Sequence, residues 1–332
     1  MTTRRFGSFA AMRTTLALVL AVLATAASAG AQSSDGTITI ATLDRPGPVS
    51  GYGENTFAWS AYDPETGRFA LQVALRGTTG AAAVEQRDVP FDVDLGPGPN
   101  GAPVAVYSRC ANEPPLGQAI PDYTLGTGCD IYRYDLAAGK EERVSAVSTS
   151  RGSEVLPSIF GTRIAFARGR SVYVRETHSG GRDQRRTGPR AGGTPTGQDL
   201  RGTLLATTWK TSTGHEIRLT GADAAARLVA RTRSGRVRRP LLSPSFDSGI
   251  LFFRSTCLNG TAACSERYWS FRPASASTAS ARVNRDIAWT VHTSRQTFSV
   301  KGSDSAGGVI CESTCAFIAE RPLRFRIAKP LR

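Results

Sequence analysis

The sequence predicts an all-β protein, a six-bladed β-propeller of four-stranded antiparallel blades that follows a cleaved N-terminal signal peptide. Three observations predict it: an apolar leader, six similar hairpins along the rest of the chain, and the lack of a long amphipathic helix after the leader. Hydrophobic residues make up 40% of the chain and charged residues 20%, as is ordinary for a globular protein. Roughly 300 residues remain after the leader, which is large for one compact core, so repeats that divide the core are expected.

The leader has the three parts of a secretory signal. Three arginines precede an apolar run over residues 16–27, and small residues follow the run as far as Ala29. The run is shorter than the about 20 residues that a membrane-spanning helix needs, and no later segment of the sequence is long and apolar enough. We therefore predict a signal peptide over residues 1–29, cleaved near Ala29 or Ala31, and a secreted, soluble, extracytoplasmic mature protein. A buried N-terminal helix is the alternative.

Six short apolar segments open the predicted hairpins. They start roughly 40 to 60 residues apart, close to the length of a four-stranded propeller blade. Four of them carry Ala at the second position, which suits strands crowded around a central channel. The segments are residues 57–59, 104–106, 164–166, 204–206, 250–252 and 287–289.

A turn and a second strand follow each apolar segment. Several of these second strands alternate apolar and polar residues, the period of a strand with one buried face. We predict one propeller domain over residues 37–328, in which a strand near residues 37–40 pairs with the final blade. Two β-sandwich domains are the alternative, but they would break the hairpin pattern. The second strands are residues 69–71, 131–134, 172–174, 216–219, 268–271 and 297–300. The expected blades are residues 37–95, 96–150, 151–193, 194–236, 237–281 and 282–328.

The mature chain has six cysteines, an even number that indicates disulfides in an exported protein. Cys110 ends the first strand of the second hairpin and Cys129 opens its partner; Cys257 and Cys264 take the same places in the fifth hairpin. Residues across a hairpin mouth lie about 4.5 to 5.5 Å apart, within disulfide reach. A zinc site is the alternative, but the sequence has no C-x-x-C pair. The predicted disulfides are Cys110–Cys129, Cys257–Cys264 and, from the remaining two cysteines, Cys311–Cys315.

Several segments resemble the repeats of a known family. Residues 130–140 have the sequence Asp-Ile-Tyr-Arg-Tyr-Asp-Leu-Ala-Ala-Gly-Lys, Leu-Pro-Ser at 156–158 precedes the third apolar segment, and Leu-Ser-Pro at 242–244 precedes the fifth. This pattern, spread over about residues 38–328, resembles the TolB-like six-bladed propellers of the wider WD40-like group. The resemblance implies a propeller that works by binding partners. It does not define an activity, because one fold hosts many functions.

Two groups of acidic residues are candidates for chemistry. Asp92 and Asp94 have the spacing of a calcium loop, but Gly96 and Pro103 stand where later ligands belong. We expect that segment to be an outer strand that runs into a Gly-Pro turn.

Hydrolysis by a carboxylate pair needs two acids that converge on a cavity, and nothing in the sequence shows convergence. We expect no catalytic residue, metal or cofactor; the alternative is a secreted carbohydrate-active enzyme, a glycoside hydrolase or lyase, that uses loop carboxylates. The acids in the predicted loops are Glu54, Glu154, Asp199 and Asp286.

Arginine dominates the charge of the chain. The formal net charge is +14, or +11 without the three arginines of the leader, and only four of the 41 basic residues are lysine. Two arginine clusters follow outer-strand turns, where they would attract an anionic polymer, phospholipid headgroups or an acidic protein; a solvated surface without a dedicated partner is the alternative. We predict a monomeric, non-catalytic binding or scaffold protein for an envelope or extracellular partner, and no nucleic-acid binding. The clusters are Arg182, Arg185, Arg186 and Arg190, and Arg231, Arg233, Arg236, Arg238 and Arg239.

Overall fold

The computed structural model describes the chain in segments, and the predicted signal peptide lies outside them. Among the described residues the regular elements are strands, apart from one 3-10 turn at Tyr123–Leu125. None of these residues belongs to a helix long and apolar enough to cross a membrane. The described segments are residues 38–43, 48–52, 56–75, 78–116, 121–149, 152–178, 180–221, 226–233, 241–247, 250–255, 267–271, 278–279, 289–293, 296–301, 309–311, 315–318 and 323–328.

The strands are short and follow one another closely. The first thirteen are β1 (Ile38–Leu43), β2 (Pro48–Gly51), β3 (Phe57–Asp63), β4 (Arg68–Leu75), β5 (Thr78–Ala81), β6 (Asp94–Pro97), β7 (Pro103–Arg109), β8 (Asp130–Asp135), β9 (Lys140–Arg143), β10 (Glu154–Phe160), β11 (Arg163–Arg168), β12 (Ser171–Glu176) and β13 (Gln184–Arg186). The others are β14 (Thr194–Arg201), β15 (Leu204–Thr211), β16 (Gly214–Thr220), β17 (Ala226–Arg233), β18 (Leu241–Asp247), β19 (Ile250–Ser255), β20 (Arg267–Phe271), β21 (Thr278–Ala279), β22 (Trp289–Thr293), β23 (Gln296–Lys301), β24 (Val309–Cys311), β25 (Cys315–Ile318) and β26 (Leu323–Ala328).

Four consecutive sheets take their strands in chain order, and neighbouring strands run antiparallel. We call β6–β9 the second sheet, β10–β13 the third, β14–β17 the fourth and β18–β21 the fifth. The first sheet contains β2–β5, to which the hairpin β24–β25 adds at β2, and the terminal sheet has the order β1, β26, β23, β22. The prediction of an all-β chain built from four-stranded antiparallel sheets is confirmed.

The predicted hairpins form the pairs β3–β4, β7–β8, β11–β12, β15–β16, β19–β20 and β22–β23. The first strand also pairs with the last one, from Ile38 opposite Ile327 to Leu43 opposite Leu323, as expected. One expectation is wrong. The segment Asp94–Pro97 is the first strand of the second sheet rather than the outer strand of the first, because its backbone pairs with β7.

The alanines of the repeated segments pack between sheets. Three of the four alanines at the second position, Ala58, Ala105 and Ala165, are fully buried and lie on β3, β7 and β11. The fourth, Ala288, lies outside the described residues. Sheet-to-sheet contacts involve both the first strands and the alanine strands: β10 contacts β6 and also β7, which carries Ala105. The placement of the alanine strands around a central channel stays a prediction. Their small side chains suit the narrow space between stacked sheets, which is about 10 Å.

Each sheet shares a core with the next one, because strand side chains alternate between the two faces. The core between the second and third sheets contains Val104, Val106, Ile131, Ile159, Ile164 and Phe166. The core between the third and fourth sheets contains Ala165, Val172, Val174, Leu200, Leu205 and Trp209. Apolar packing therefore continues from the second sheet to the fourth, and it determines which loops of neighbouring sheets lie next to each other.

Candidate functional site

Buried polar side chains link the first strands of neighbouring sheets. In each link a Ser or Asp accepts a hydrogen bond from a backbone N–H on the first strand of the next sheet. Because a buried N–H needs an acceptor, each link ties one sheet to its neighbour. We call this series the first-strand ladder. Its links are Ser50 Oγ with Leu95 N (2.8 Å), Asp94 Oδ2 with Ile159 N (3.0 Å), Ser158 Oγ with Leu200 N (2.9 Å) and Asp199 Oδ2 with Phe246 N (2.5 Å).

The two aspartates with calcium-loop spacing serve the fold. Asp94 also accepts a hydrogen bond from Ser50 Oγ at 3.1 Å, and burial raises the pKa of its carboxyl group to about 6. Asp92 accepts hydrogen bonds from Ser108 N, Ser108 Oγ and Leu156 N at 2.7–2.8 Å. Protein donors therefore occupy the oxygens that a calcium ion would need.

The acids proposed for catalysis do not meet at a cavity in the described part of the chain. Glu154 is fully buried and accepts a hydrogen bond from Arg168 Nε at 2.8 Å. Asp199 belongs to the first-strand ladder. Glu54 and Asp286 lie outside the described residues. The two acids that can be placed are thus structural.

The loop between β7 and β8 is anchored at two points. A disulfide joins Cys110 to Cys129, the pairing expected from their positions in the hairpin. Arg87 is buried and donates from Nε and Nη2 to the two carboxylate oxygens of Glu113, at 2.8 and 2.6 Å. Its Nη1 donates to the carbonyl of Ser108 at 2.6 Å. A covalent bond and a buried ion pair therefore hold this loop against the second sheet.

The other two predicted disulfides stay predictions. Cys257 and Cys264 lie outside the described residues. The backbone register of β24 and β25 places Cys311 opposite Cys315, as a disulfide between them would require.

A pocket of about 280 Å³ opens between the third and fourth sheets. The third sheet contributes three arginines from the β11–β12 turn and from β13, the connection to the fourth sheet contributes glycines, and β15 contributes an indole. No carboxylate is among the lining residues that the structure describes, so this lining is positively charged. The lining includes Arg170, Ser171, Arg185, Arg186, Gly188 and Trp209.

The arginines of the pocket differ in burial. Arg170 and Arg185 are exposed, and neither forms an ion pair with a described residue. Arg186 is buried and donates hydrogen bonds to the carbonyl of Gly221 and to Gln184 Oε1, both at 3.2 Å. The pocket therefore has one fixed guanidinium group and two that remain available to solvent.

Trp209 forms an apolar wall of the pocket. It is 2% exposed and packs so closely on Gly188 that a Cβ there would lie 3.0 Å from the ring. Within the described residues its indole Nε1 has no hydrogen-bond partner. The indole nitrogen is itself buried, so Trp209 contributes an apolar surface to the pocket.

The predicted basic clusters are divided by the structure. Arg185 and Arg186 line the pocket, whereas Arg182 and Arg190 are exposed beside it in sequence without lining it. Arg231 is paired with Glu216, with Nη2 2.8 Å from the carboxylate. Arg233 ends β17. Arg236, Arg238 and Arg239 lie outside the described residues. The role of the clusters as a binding surface stays a prediction.

Sequence reasoning missed Arg170 and Trp209. Arg170 lies in the β11–β12 turn and Trp209 near the end of β15, 39 positions apart, so only the stacking of two sheets brings them together. The sequence did offer one signal, because Arg170 is an arginine in a hairpin turn, one strand before the first arginine cluster.

The comparisons with solved structures identify the class of fold. A catalytically inactive virginiamycin B lyase from Staphylococcus aureus, solved with quinupristin, matches 88% of this chain over 99% of its own, with a TM-score of 0.51 and 9% identity. At that identity the likeness shows the fold alone, that of β-propeller structures.

Two TolB structures are also similar. TolB from Acinetobacter baumannii matches 86% of this chain with 11% identity and a TM-score of 0.48, but this chain covers only 64% of that chain. A TolB structure from Agrobacterium tumefaciens matches 85% of this chain over 89% of its own, with 13% identity and a TM-score of 0.46. No family model and no curated protein sequence matches this chain.

Proposed function

We propose that the chain is an exported, TolB-like six-bladed β-propeller that acts as a non-catalytic, monomeric binding protein for an anionic partner outside the cytoplasm. The first-strand ladder and the pairing of β1 with β26 support a closed ring of sheets. The Cys110–Cys129 disulfide supports an oxidising compartment, because such bonds are rare in the cytosol.

One observation supports the binding function. The described loop acids accept hydrogen bonds inside the protein, whereas two arginines of the pocket remain exposed to solvent. The described acids of the predicted loops are committed to hydrogen bonds inside the protein, since Glu154 accepts from Thr149 Oγ1 and Arg168 and Asp199 accepts from Phe246 N. Arg170 and Arg185, in contrast, line a pocket to which the described residues contribute no carboxylate. A site of this kind attracts anions and offers no general acid or base.

The carbohydrate-active alternative needs two carboxyl groups about 5 to 9.5 Å apart that face a cavity. Glu154 is fully buried and salt-bridged to Arg168, so it is a poor acid or nucleophile for a substrate in solvent. This hypothesis would have to rest on Glu54 and Asp286, which lie outside the described residues.

Capture tests the proposal. The mature protein is immobilised and exposed to solubilised envelope and secreted glycan from the source cells, at about 0.05 and 0.5 M salt, with heat-unfolded protein as the control. We expect the folded protein to retain an anionic partner that survives the higher salt. Retention by the unfolded control as well would refute a shaped site. Release of reducing sugar from the glycan would overturn the proposal in favour of the enzyme.

A further inference from the structure

We propose that the pocket between the third and fourth sheets binds a phosphate monoester, with Arg170 and Arg185 as its ligands. This inference rests on the proposed function and names the chemical group that the binding protein recognises. The observation behind it is that three arginines line one cavity and that no carboxylate is found among its described lining residues.

The charge of the pocket favours a dianion. A carboxylate or a phosphodiester carries one negative charge, whereas a phosphate monoester carries between one and a half and two at neutral pH. Two other arginines of the third sheet are paired with an acid. The Nη1 atoms of Arg168 and Arg175 lie 2.9 and 3.0 Å from the carboxylate oxygens of Asp183. Arg170 and Arg185 have no such counter-ion among the described residues, so a doubly charged ligand would complete the site.

The geometry of arginine favours oxygen-rich anions. A guanidinium group presents parallel N–H donors that match two oxygens of a phosphate, and such charged hydrogen bonds are stronger than neutral ones. The Ser171 hydroxyl is a further candidate donor in the lining.

The size of the pocket limits what carries the phosphate. Its volume of about 280 Å³ exceeds what a phosphate group alone requires, since one water molecule takes about 30 Å³. The remaining space is lined by the apolar ring of Trp209 and by glycine backbone. A glycerol- or sugar-sized group therefore fits beside the phosphate. The same chemistry occurs in a small soluble phosphate ester and in the headgroup of phosphatidic acid.

Calorimetric titration of the mature protein at fixed ionic strength tests the site. The probes are glycerol phosphate, vesicles that contain phosphatidic acid, and, as comparators, acetate and dimethyl phosphate. The variants are Arg170→Gln and Arg185→Gln. Arg68→Gln is the matched control, because it removes one exposed charge from β4, outside the pocket.

We expect glycerol phosphate to bind more tightly than acetate or dimethyl phosphate. Each pocket arginine variant should weaken this binding by about tenfold or more, as loss of a charge-assisted hydrogen bond does. Arg68→Gln should stay within about twofold of the wild type. Binding to phosphatidic acid vesicles but not to the soluble ester would assign the site to a lipid headgroup, and the reverse would assign it to a soluble ligand.

Three results would overturn the site: equal binding of acetate, wild-type affinity in the Arg170→Gln and Arg185→Gln variants, or an equal loss in Arg68→Gln. The two proposals fail separately. If the protein captures its envelope partner but does not bind the phosphate probes, the binding function stands and the phosphate site is wrong. If it does neither, the proposed function itself is wrong.

Discussion

The loop between β7 and β8 and the pocket between the third and fourth sheets use the same residue type in opposite ways. At the loop, Glu113 accepts hydrogen bonds with both carboxylate oxygens from Arg87, which lies between β5 and β6 and is 3% exposed. Arg109 nearby pairs with Glu141 at 2.9 Å and with Glu85. In the pocket, Arg170 and Arg185 are exposed, and the described lining has no carboxylate.

The difference shows how a high arginine content should be interpreted. A high net charge does not locate a binding site, because many arginines here are internal cross-links that have their own acids. The two uses differ in whether a carboxylate lies beside the arginine. Glu113 lies beside Arg87, whereas no described carboxylate lines the pocket beside Arg185. Four predictions test this contrast, and they run from the largest expected effect to the smallest.

Removing the buried cation should have the largest effect. We expect Arg87→Met to lower the free energy of unfolding by about 3 to 5 kcal/mol, because it leaves the carboxylates of Asp92 and Glu113 without their partner. Urea denaturation followed by circular dichroism measures the change. The double variant Arg87→Met with Glu113→Gln should recover part of it; no recovery would mean that packing, not charge, explains the loss.

Opening the disulfide should come next. Replacing Cys110 and Cys129 together by Ser should cost about 3 kcal/mol, the value for a loop near the 19-residue separation of these cysteines. Thermal unfolding of the variant and of the wild type, each with and without reductant, gives the effect of this bond apart from that of the other predicted disulfides. An unchanged melting temperature without reductant would contradict an anchored loop.

Asp94 of the first-strand ladder should make the free energy of unfolding decrease as pH rises, which is opposite to the usual effect of a carboxyl group. Burial raises the pKa of Asp94 from its ordinary 3.8 to about 6, so the folded protein binds this proton more tightly than the unfolded chain. Its contribution is complete below the unfolded pKa and is lost as pH rises through about 6. We expect the difference in unfolding free energy between the wild type and Asp94→Asn to change over pH 4 to 6 in that direction.

Asp63 provides the control for this titration. Hydrogen bonds from the backbone of Glu65, from Thr66 and from Gln86 lower the pKa of its carboxyl group. Its contribution to stability is therefore present above the unfolded pKa and lost as pH falls, the opposite sign. If Asp63→Asn and Asp94→Asn change the pH profile in the same direction, the assignment of the Asp94 shift to burial is wrong.

The smallest effect on stability should come from the pocket. Replacing Arg170 and Arg185 together by Gln should change the free energy of unfolding by less than about 0.5 kcal/mol, because both side chains are exposed and without an ion pair among the described residues. The same urea experiment as for Arg87→Met measures it. A loss comparable to that of Arg87→Met would show that these arginines are structural, and the contrast between the two regions would fail.

The sequence predicted the hairpins well because their signal is local. The alternation in residues such as 172–174 depends only on which face of one strand is buried. The strand Asp94–Pro97 was misplaced because its four residues are all buried and contain Gly and Pro, so it has neither alternation nor typical strand composition.

The ladder and the pocket were harder to predict because they join distant parts of the chain. Asp94 and Ile159 are 65 positions apart, and a Ser or Asp before an apolar residue is too common to indicate a link between sheets. For the pocket, the arginine cluster indicated Arg185 and Arg186, whereas Trp209 could be placed only once the third and fourth sheets were stacked.

The pairing of β1 with β26 constrains the order in which the protein can mature. A strand from residues 38–43 must wait for residues 323–328 before its backbone finds a partner, and β2 must likewise wait for β25. Contacts of such sequence separation make folding slow, because loop closure precedes any gain from them. A chain synthesised from its N-terminus thus keeps its first strand unpaired until residues 323–328 have been made, a delay that would favour the proposed export of an unfolded polypeptide.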